Sequence, residues 1–120
     1  MTTKNITLNN YQSTIHSNNI VIMDFWASWC GPCKAFAPIF EVASNKNSDI
    51  LFAKIDTDSE IKLSSELEIT SIPTLIIFRE GVMVFRKAGA VPGNILSDII
   101  KKTRELDMIK IHAEIAKDGK

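Results

Sequence analysis

The chain contains two cysteines, Cys30 and Cys33, and only Gly31 and Pro32 lie between them. The pair stands where an apolar run gives way to a pattern typical of a helix. Cysteines three residues apart at a helix start lie on one face, so their sulfurs can close a small disulfide ring with little backbone movement. Such a short bridge constrains too little chain to be a strong structural staple. The spacing therefore favours reversible thiol–disulfide chemistry.

Metal binding is the rival chemistry for this pair. A closed zinc site needs two more ligands, and the histidines of the chain, His16 and His112, are distant in sequence. A dimer sharing four cysteines is the arrangement that would complete such a site. We predict that no metal is bound.

Composition limits the other classes of function. A chain of 120 residues with 45% hydrophobic content fits one globular domain with a single core. Fourteen basic and fourteen acidic side chains cancel, which argues against nucleic acid or an anionic membrane as the partner. Residues 1–10 do not resemble a secretion signal, and no apolar run approaches the ~18 residues of a membrane span. We therefore predict a cytoplasmic protein whose partners are proteins.

Hydrophobic periodicity predicts alternating strands and helices. The run from Ile20 to Trp26 is rich in β-branched and aromatic residues, which suits a central strand covered on both faces. Asn9 or Asn10 is expected to cap the first helix. Strands are predicted over residues 5–8, 20–26, 50–56, 74–78 and 82–87, and helices over 10–17, 32–44, 59–66 and 95–103. This order indicates an α/β sandwich with a mixed sheet that ends in a hairpin and a helix.

A long stretch around the cysteines resembles the thioredoxin family. Residues 24–34 read Asp-Phe-Trp-Ala-Ser-Trp-Cys-Gly-Pro-Cys-Lys, and Ile72-Pro73-Thr74 follows about forty residues later. Residues 53–56, Gly81 and the pair Gly89-Ala90 match in the same order. The resemblance covers roughly residues 5–104. It implies the α/β thioredoxin fold, in which helices flank both faces of a central mixed β-sheet.

The resemblance also implies an activity. Family members are thiol–disulfide oxidoreductases that reduce protein disulfides, and proline at the position of Pro32 goes with the reducing members. No bound cofactor is expected, because electrons would come from NADPH through a flavoprotein thioredoxin reductase. That reductase and disulfide-containing proteins are the expected partners. The alternative is a thioredoxin-fold binding or assembly module with little redox role.

The two cysteines and one acid are the predicted catalytic residues. Cys30 would lie at a helix N-terminus, where free backbone N–H groups and the macrodipole favour a negative sulfur, so it should be the attacking thiolate. Cys33 should be more buried and should resolve the mixed disulfide. Asp24 stands in a buried strand, so we expect a raised pKa and a role as proton shuttle to Cys33. The alternative is that Asp24 faces solvent or caps a neighbouring element.

Three further residues are expected to tune the active-site loop. Gly31 lets the backbone approach a partner, and Pro32 fixes φ at the first turn of the helix. Lys54 resembles the family lysine that lies near the buried carboxylate. It is equally consistent with an ordinary lysine whose stem crosses apolar surface.

The substrate surface is predicted from the resemblance. In the family, the proline at the position of Pro73 is cis, lies against the cysteines, and exposes the backbone of the preceding residue, here Ile72, to an extended substrate segment. Trp29 is expected at the rim of this surface. Gly89 and Ala90 are expected to complete an apolar patch around Cys30.

The chain continues past the length typical of the family. We divide it into a thioredoxin domain, residues 1–106, and a C-terminal helical extension, residues 107–120. An apolar seam at roughly heptad spacing runs through Leu106, Ile109, Ala113 and Ala116. The prediction is a second terminal helix that lies back on its own domain of a monomer, and the alternative is self-association or a partner contact through this tail.

Overall fold

A five-stranded mixed sheet forms the centre of the molecule, which a computed structural model describes over residues 3–118. The strands are β1 (Thr3–Asn5), β2 (Ile20–Trp26), β3 (Leu51–Asp56), β4 (Thr74–Arg79) and β5 (Val82–Ala88). The helices are α1 (Leu8–Ser17), α2 (Gly31–Lys46), α3 (Ile61–Glu66), α4 (Gly93–Arg104) and α5 (Met108–Asp118). The strand order is β1-β3-β2-β4-β5. Strands β1, β3 and β2 run parallel to one another, β4 runs antiparallel to β2, and β5 runs antiparallel to β4. The predicted α/β fold with a mixed sheet is confirmed.

Strand β2 occupies the middle of the sheet and is buried on both faces. Ile20 and Ile22 belong to the core beneath α2 and α4, whereas Val21, Met23 and Phe25 belong to the core beneath α1 and α3. This two-sided burial explains the nearly unbroken apolar run, because neither face of a central strand in such a sheet meets water. The prediction of a central strand here is confirmed.

The start of the chain differs from the prediction. Strand β1 is Thr3–Asn5 rather than residues 5–8, and Thr7 is the N-cap of α1, so the prediction of Asn9 or Asn10 as the cap was wrong. The Asn10 side chain instead reaches back, and its Oδ1 accepts from the Thr7 backbone N–H at 2.8 Å. Because several adjacent polar residues can cap a helix, periodicity alone did not distinguish the N-cap from the third helical position.

Helix α5 confirms the predicted second terminal helix, although the expected seam is not its buried face. Met108 is the buried residue of α5, whereas the Ile109 side chain is 86% exposed. Within α5, the face that packs on the domain therefore contains Met108 instead of Ile109 of the predicted seam. None of the helices within residues 3–118 is both long and apolar enough to cross a membrane.

The tail is tied to the end of the sheet that lies far from the cysteines. Arg79, the last residue of β4, pairs with Ile20 at the beginning of β2. Its Nη1 donates to the backbone oxygens of Thr103 (2.8 Å), Arg104 (3.2 Å) and Leu106 (3.0 Å). Thr103 and Arg104 end α4 and Leu106 follows it, so the guanidinium binds the carbonyl groups of the junction before α5. The tail therefore starts at the pole opposite the end of β2 that leads to Cys30.

Candidate active site

The two cysteines lie at the N-terminus of α2, directly after the turn that follows β2. They are joined by a disulfide, with their Cα atoms 5.2 Å apart. Cys30 is the N-cap residue, and its Sγ accepts from the backbone N–H of Cys33 at 3.2 Å. An N–H group directed at a sulfur, at the positive end of a 16-residue helix, favours negative charge on that atom. Gly31 and Pro32 are exposed on the first turn.

Both cysteines are buried in the disulfide. Cys30 is 5% and Cys33 is 3% exposed, and together with Ala27 they form a small apolar cluster against which Trp26 and Ile72 pack. The expectation that Cys33 would be distinctly more buried is not visible in this oxidised state, because the two values are nearly equal.

Asp24 faces the helix that carries the cysteines. Side chains alternate along a strand, and Ile20 and Ile22 lie on the α2 side, so Asp24 lies on that side as well. It is 1% exposed, and neither carboxylate oxygen has a hydrogen-bond partner among the described residues. Burial raises the pKa of Asp24 from 3.8 to about 6, while the positive charge of Lys54 lowers it. The alternative of a solvent-facing or capping aspartate is wrong, because the carboxylate is sequestered and unpaired.

Lys54 is the neighbour of Asp24 in the sheet. The two residues are paired across β2 and β3, which places their side chains on the same face. The Nζ atom of Lys54 lies 5.1 Å from the centroid of the Trp26 ring, within cation–π range. A cavity of about 240 Å³ borders Cys33, Lys54 and Trp26. Asp24 is not among the residues that line this cavity.

The loop before β4 lies against the disulfide. The Ile72–Pro73 peptide bond is cis, as the resemblance implied, and the Ile72 backbone oxygen is 3.8 Å from Cys30 Sγ. The Gly89 N–H donates to the Pro73 oxygen at 2.8 Å, and Gly89 has a φ of +98°, a conformation that favours glycine. Gly89 and Ala90 are exposed beside this loop. The structure therefore brings together the residues that the family pattern assigned to substrate docking.

A groove on the other side of the disulfide was not predicted from the sequence. Trp29 is 68% exposed at its rim, and its indole N–H donates to Asp58 Oδ2 at 3.0 Å. The groove has a volume of about 410 Å³ and runs from Trp29 past α3 to Ile72. Its other lining residues are uncharged: Thr57, Ile61, Ser64, Ser65, Ile69, Thr70 and Ser71. No local sequence signal indicates the Trp29–Asp58 contact or the α3 side of the groove, which we call the α3 wall, because the residues that meet there are far apart in the chain.

The histidines do not approach the cysteines. Nε2 of His112 lies 2.8 Å from Glu80 Oε1, and a Cβ added to Gly81 would lie 2.9 Å from Nδ1 of His16. Both rings are therefore at the β4–β5 turn, at the opposite end of the sheet. Within residues 3–118, no group of three or more metal-binding side chains is placed to hold an ion.

Comparisons with known proteins agree with this geometry. A family model described as Thioredoxin matches residues 2–102. Putative thioredoxin 2 of Streptomyces coelicolor is 44% identical over 114 residues, which cover 95% of this chain and 85% of that protein. The bifunctional thioredoxin reductase/thioredoxin of Mycobacterium leprae is 42% identical over 81 residues, covering 67% of this chain and 18% of that protein. The solved structure of Plasmodium falciparum thioredoxin has a TM-score of 0.77 at 36% identity and covers 82% of this chain and 97% of its own.

Proposed function

The chain belongs to the thioredoxin family and is a protein-disulfide reductase, and on this premise we propose that Cys30 and Cys33 carry the exchange. The observation that carries the assignment of roles is the Cys33 N–H aimed at Cys30 Sγ at the N-terminus of α2. This N–H group stabilises a thiolate on Cys30 in the dithiol form, but it does not donate to the sulfur of Cys33. Cys30 is therefore the nucleophile.

The reaction transfers two electrons to the substrate. The Cys30 thiolate attacks one sulfur of the substrate disulfide, and the other substrate sulfur leaves as a thiolate that takes up a proton. Cys33 then loses its proton and attacks Cys30 Sγ. The Cys30–Cys33 disulfide forms, the mixed disulfide breaks, and the second substrate sulfur leaves as a thiolate.

Asp24 accepts the proton that Cys33 gives up. Its carboxylate lies on the face of β2 beneath α2, and a pKa of about 6 leaves it mostly ionised yet still basic at neutral pH. Lys54 keeps that pKa from rising further. The cavity that borders Cys33 and Lys54 is the path by which we expect this proton to reach solvent.

Protein substrates dock on the surface around Cys30. The Ile72 backbone, held next to Cys30 Sγ by the cis bond to Pro73, pairs with an extended segment that carries the substrate disulfide. Trp29 flanks that segment on one side, and Gly89 and Ala90 flank it on the other. Gly31 and Pro32 present no bulky side chain above the disulfide, so a partner sulfur can approach Cys30.

The electrons for each cycle come from NADPH through a flavoprotein thioredoxin reductase. The Mycobacterium leprae relative, by its name, joins a thioredoxin reductase and a thioredoxin, which supports a reductase as the partner. No cofactor needs to be bound, because the dithiol itself carries the electrons. We assign the chain to the cytoplasm, where NADPH-dependent reduction keeps thiols reduced.

The activity is tested by the reduction of insulin in the presence of thioredoxin reductase and NADPH. We expect NADPH oxidation and precipitation of reduced insulin chains that depend on the added protein. Absence of reduction, also after prior reduction of the chain by dithiothreitol, would contradict the proposed function and favour a binding or assembly module.

We propose that residues 1–106 form the catalytic domain of a monomer and that residues 107–120 form an accessory extension. Removal of residues 107–120 is expected to leave the mass in solution monomeric and the insulin-reduction rate within about twofold. The reason is that α5 is held at the pole opposite Cys30, through buried Met108 and the His112–Glu80 contact. Loss of these contacts should lower the melting temperature by a few degrees.

Light scattering of the full and shortened chains distinguishes the alternatives. Ile109→Ser in the full chain is the matched control, because it removes the largest exposed apolar group of the tail and leaves the Met108 contact intact. A dimer that both changes convert to a monomer would establish self-association through the tail. The alignment with the Streptomyces relative spans 114 of the 120 residues and so includes at least part of α5.

A further inference from the structure

The wall of the groove beside Trp29 is held in place by a side chain from the edge strand of the sheet. Arg86 of β5 donates from Nη1 to the Leu67 oxygen at 2.6 Å and from Nη2 to the Glu68 oxygen at 2.5 Å. Leu67 and Glu68 join the two groove-lining stretches, one ending at Ser65 and the other beginning at Ile69. The guanidinium of Arg86 therefore binds the bend between these two stretches.

Backbone hydrogen bonds close this bend: the N–H groups of Leu67, Glu68 and Ile69 donate to the oxygens of Leu63, Ser65 and Ser64. Arg86 adds its two bonds to the carbonyl groups that follow. Helix α3 has six residues, which is too short to be stable by itself. The Leu67 and Glu68 oxygens that Arg86 binds directly follow it. Glu68 has a φ of 54°, in the left-handed region that non-glycine residues seldom adopt. The planar fork of arginine matches two adjacent carbonyl oxygens, and its charge is favourable at a helix C-terminus.

Arg86 also links this wall to the loop that contacts the disulfide. It pairs with Ile76 in the antiparallel ladder, two residues after Thr74, which itself follows Pro73. The same hairpin that sets the position of the cis-peptide loop thus sets the position of the α3 wall. Because the α3 wall and the Ile72–Pro73 loop are both attached to the β4–β5 hairpin, the distance between these two sides of the groove is fixed.

We propose that Arg86 is a positioning residue for protein substrates. It fixes the α3 wall against the Ile72–Pro73 loop, and so it governs docking of a polypeptide without contacting either cysteine. This inference rests on the proposed function. A small disulfide needs only access to Cys30 Sγ, whereas a protein disulfide also needs the groove, so loss of Arg86 should separate the two substrates.

The test compares oxidation of the pre-reduced chain by insulin and by hydroxyethyl disulfide, followed by stopped-flow tryptophan fluorescence. For Arg86→Met, which keeps the side-chain stem, we expect the second-order rate constant with insulin to fall about threefold to tenfold. The rate constant with hydroxyethyl disulfide should stay within about twofold. Arg86→Lys retains a cation that can reach one carbonyl and should recover part of the insulin rate.

Lys87→Met is the matched control. Lys87 is the exposed neighbour of Arg86 on β5, and its substitution removes the same positive charge. It should leave both rate constants unchanged. Equal losses with both disulfides in Arg86→Met, or no loss with insulin, would overturn the positioning role. Failure of the unmutated chain to react with either disulfide would instead contradict the proposed function, so the two failures are distinguishable.

Discussion

Cys33→Ser is expected to reduce insulin turnover by about three orders of magnitude while covalent adducts with the substrate accumulate. The variant retains the backbone N–H of residue 33, which is the donor to Cys30 Sγ, so the first attack should proceed almost normally. The second attack has no thiol to carry it out, and the mixed disulfide persists. Intact mass spectrometry under non-reducing conditions should detect the chain joined to one insulin chain, and dithiothreitol should release it.

Cys30→Ser is the matched control for this experiment. Without the sulfur at the helix N-cap, neither turnover nor adduct is expected, because the backbone N–H that favours a thiolate is directed at residue 30 and not at Cys33. Adducts on Cys33 in this variant would reverse the assigned roles. Normal turnover by Cys33→Ser would show that external thiols, rather than Cys33, resolve the mixed disulfide.

The sheet and the cysteine site were predictable because their signals are local. The apolar run of β2 and the change to helical spacing at Pro32 predict that the cysteines lie at the start of a helix, and this helix is α2. An acid inside that run, Asp24, could be assigned to a buried position because a central strand has no wet face. The turn at Glu80 and Gly81, both of which have positive φ, was likewise marked by the glycine between two strand patterns.

Contacts between distant residues were not predictable in this way. The partner of the Trp29 indole is Asp58, and Arg86 bonds to carbonyl groups that precede it by eighteen and nineteen positions. Such pairs depend on how the strands are ordered in space, and the hydrophobic periodicity of a single sequence does not indicate which distant residues will meet. The buried face of α5 was misjudged for the same reason, since an amphipathic pattern shows that a helix has an apolar side but not which element covers it.

Asp24→Asn is expected to stabilise the oxidised chain by about 3 kcal/mol above pH 7. Burial raises the pKa of Asp24 from 3.8 to about 6, so between these values the native state binds more protons than the unfolded state. Stability contributed by the neutral carboxyl is therefore complete below about pH 4 and is lost as pH rises through about 6. Asparagine cannot ionise and escapes this loss, so the gain should shrink toward zero near pH 4. Urea unfolding at pH 4 and pH 7.5 measures both limits.

Asp49→Asn is the control with the opposite sign, because a hydrogen bond from Arg104 lowers the pKa of that exposed carboxylate. Its replacement should weaken the chain at pH 7.5 and have less effect in acid. A loss of stability in Asp24→Asn at pH 7.5 would mean that the buried carboxylate has a stabilising partner. The same variant should also slow the resolving step across neutral pH, since it has no carboxylate to accept the Cys33 proton. A more stable protein that resolves its mixed disulfide slowly would show that the unpaired charge beneath α2 is retained for proton transfer at the expense of stability.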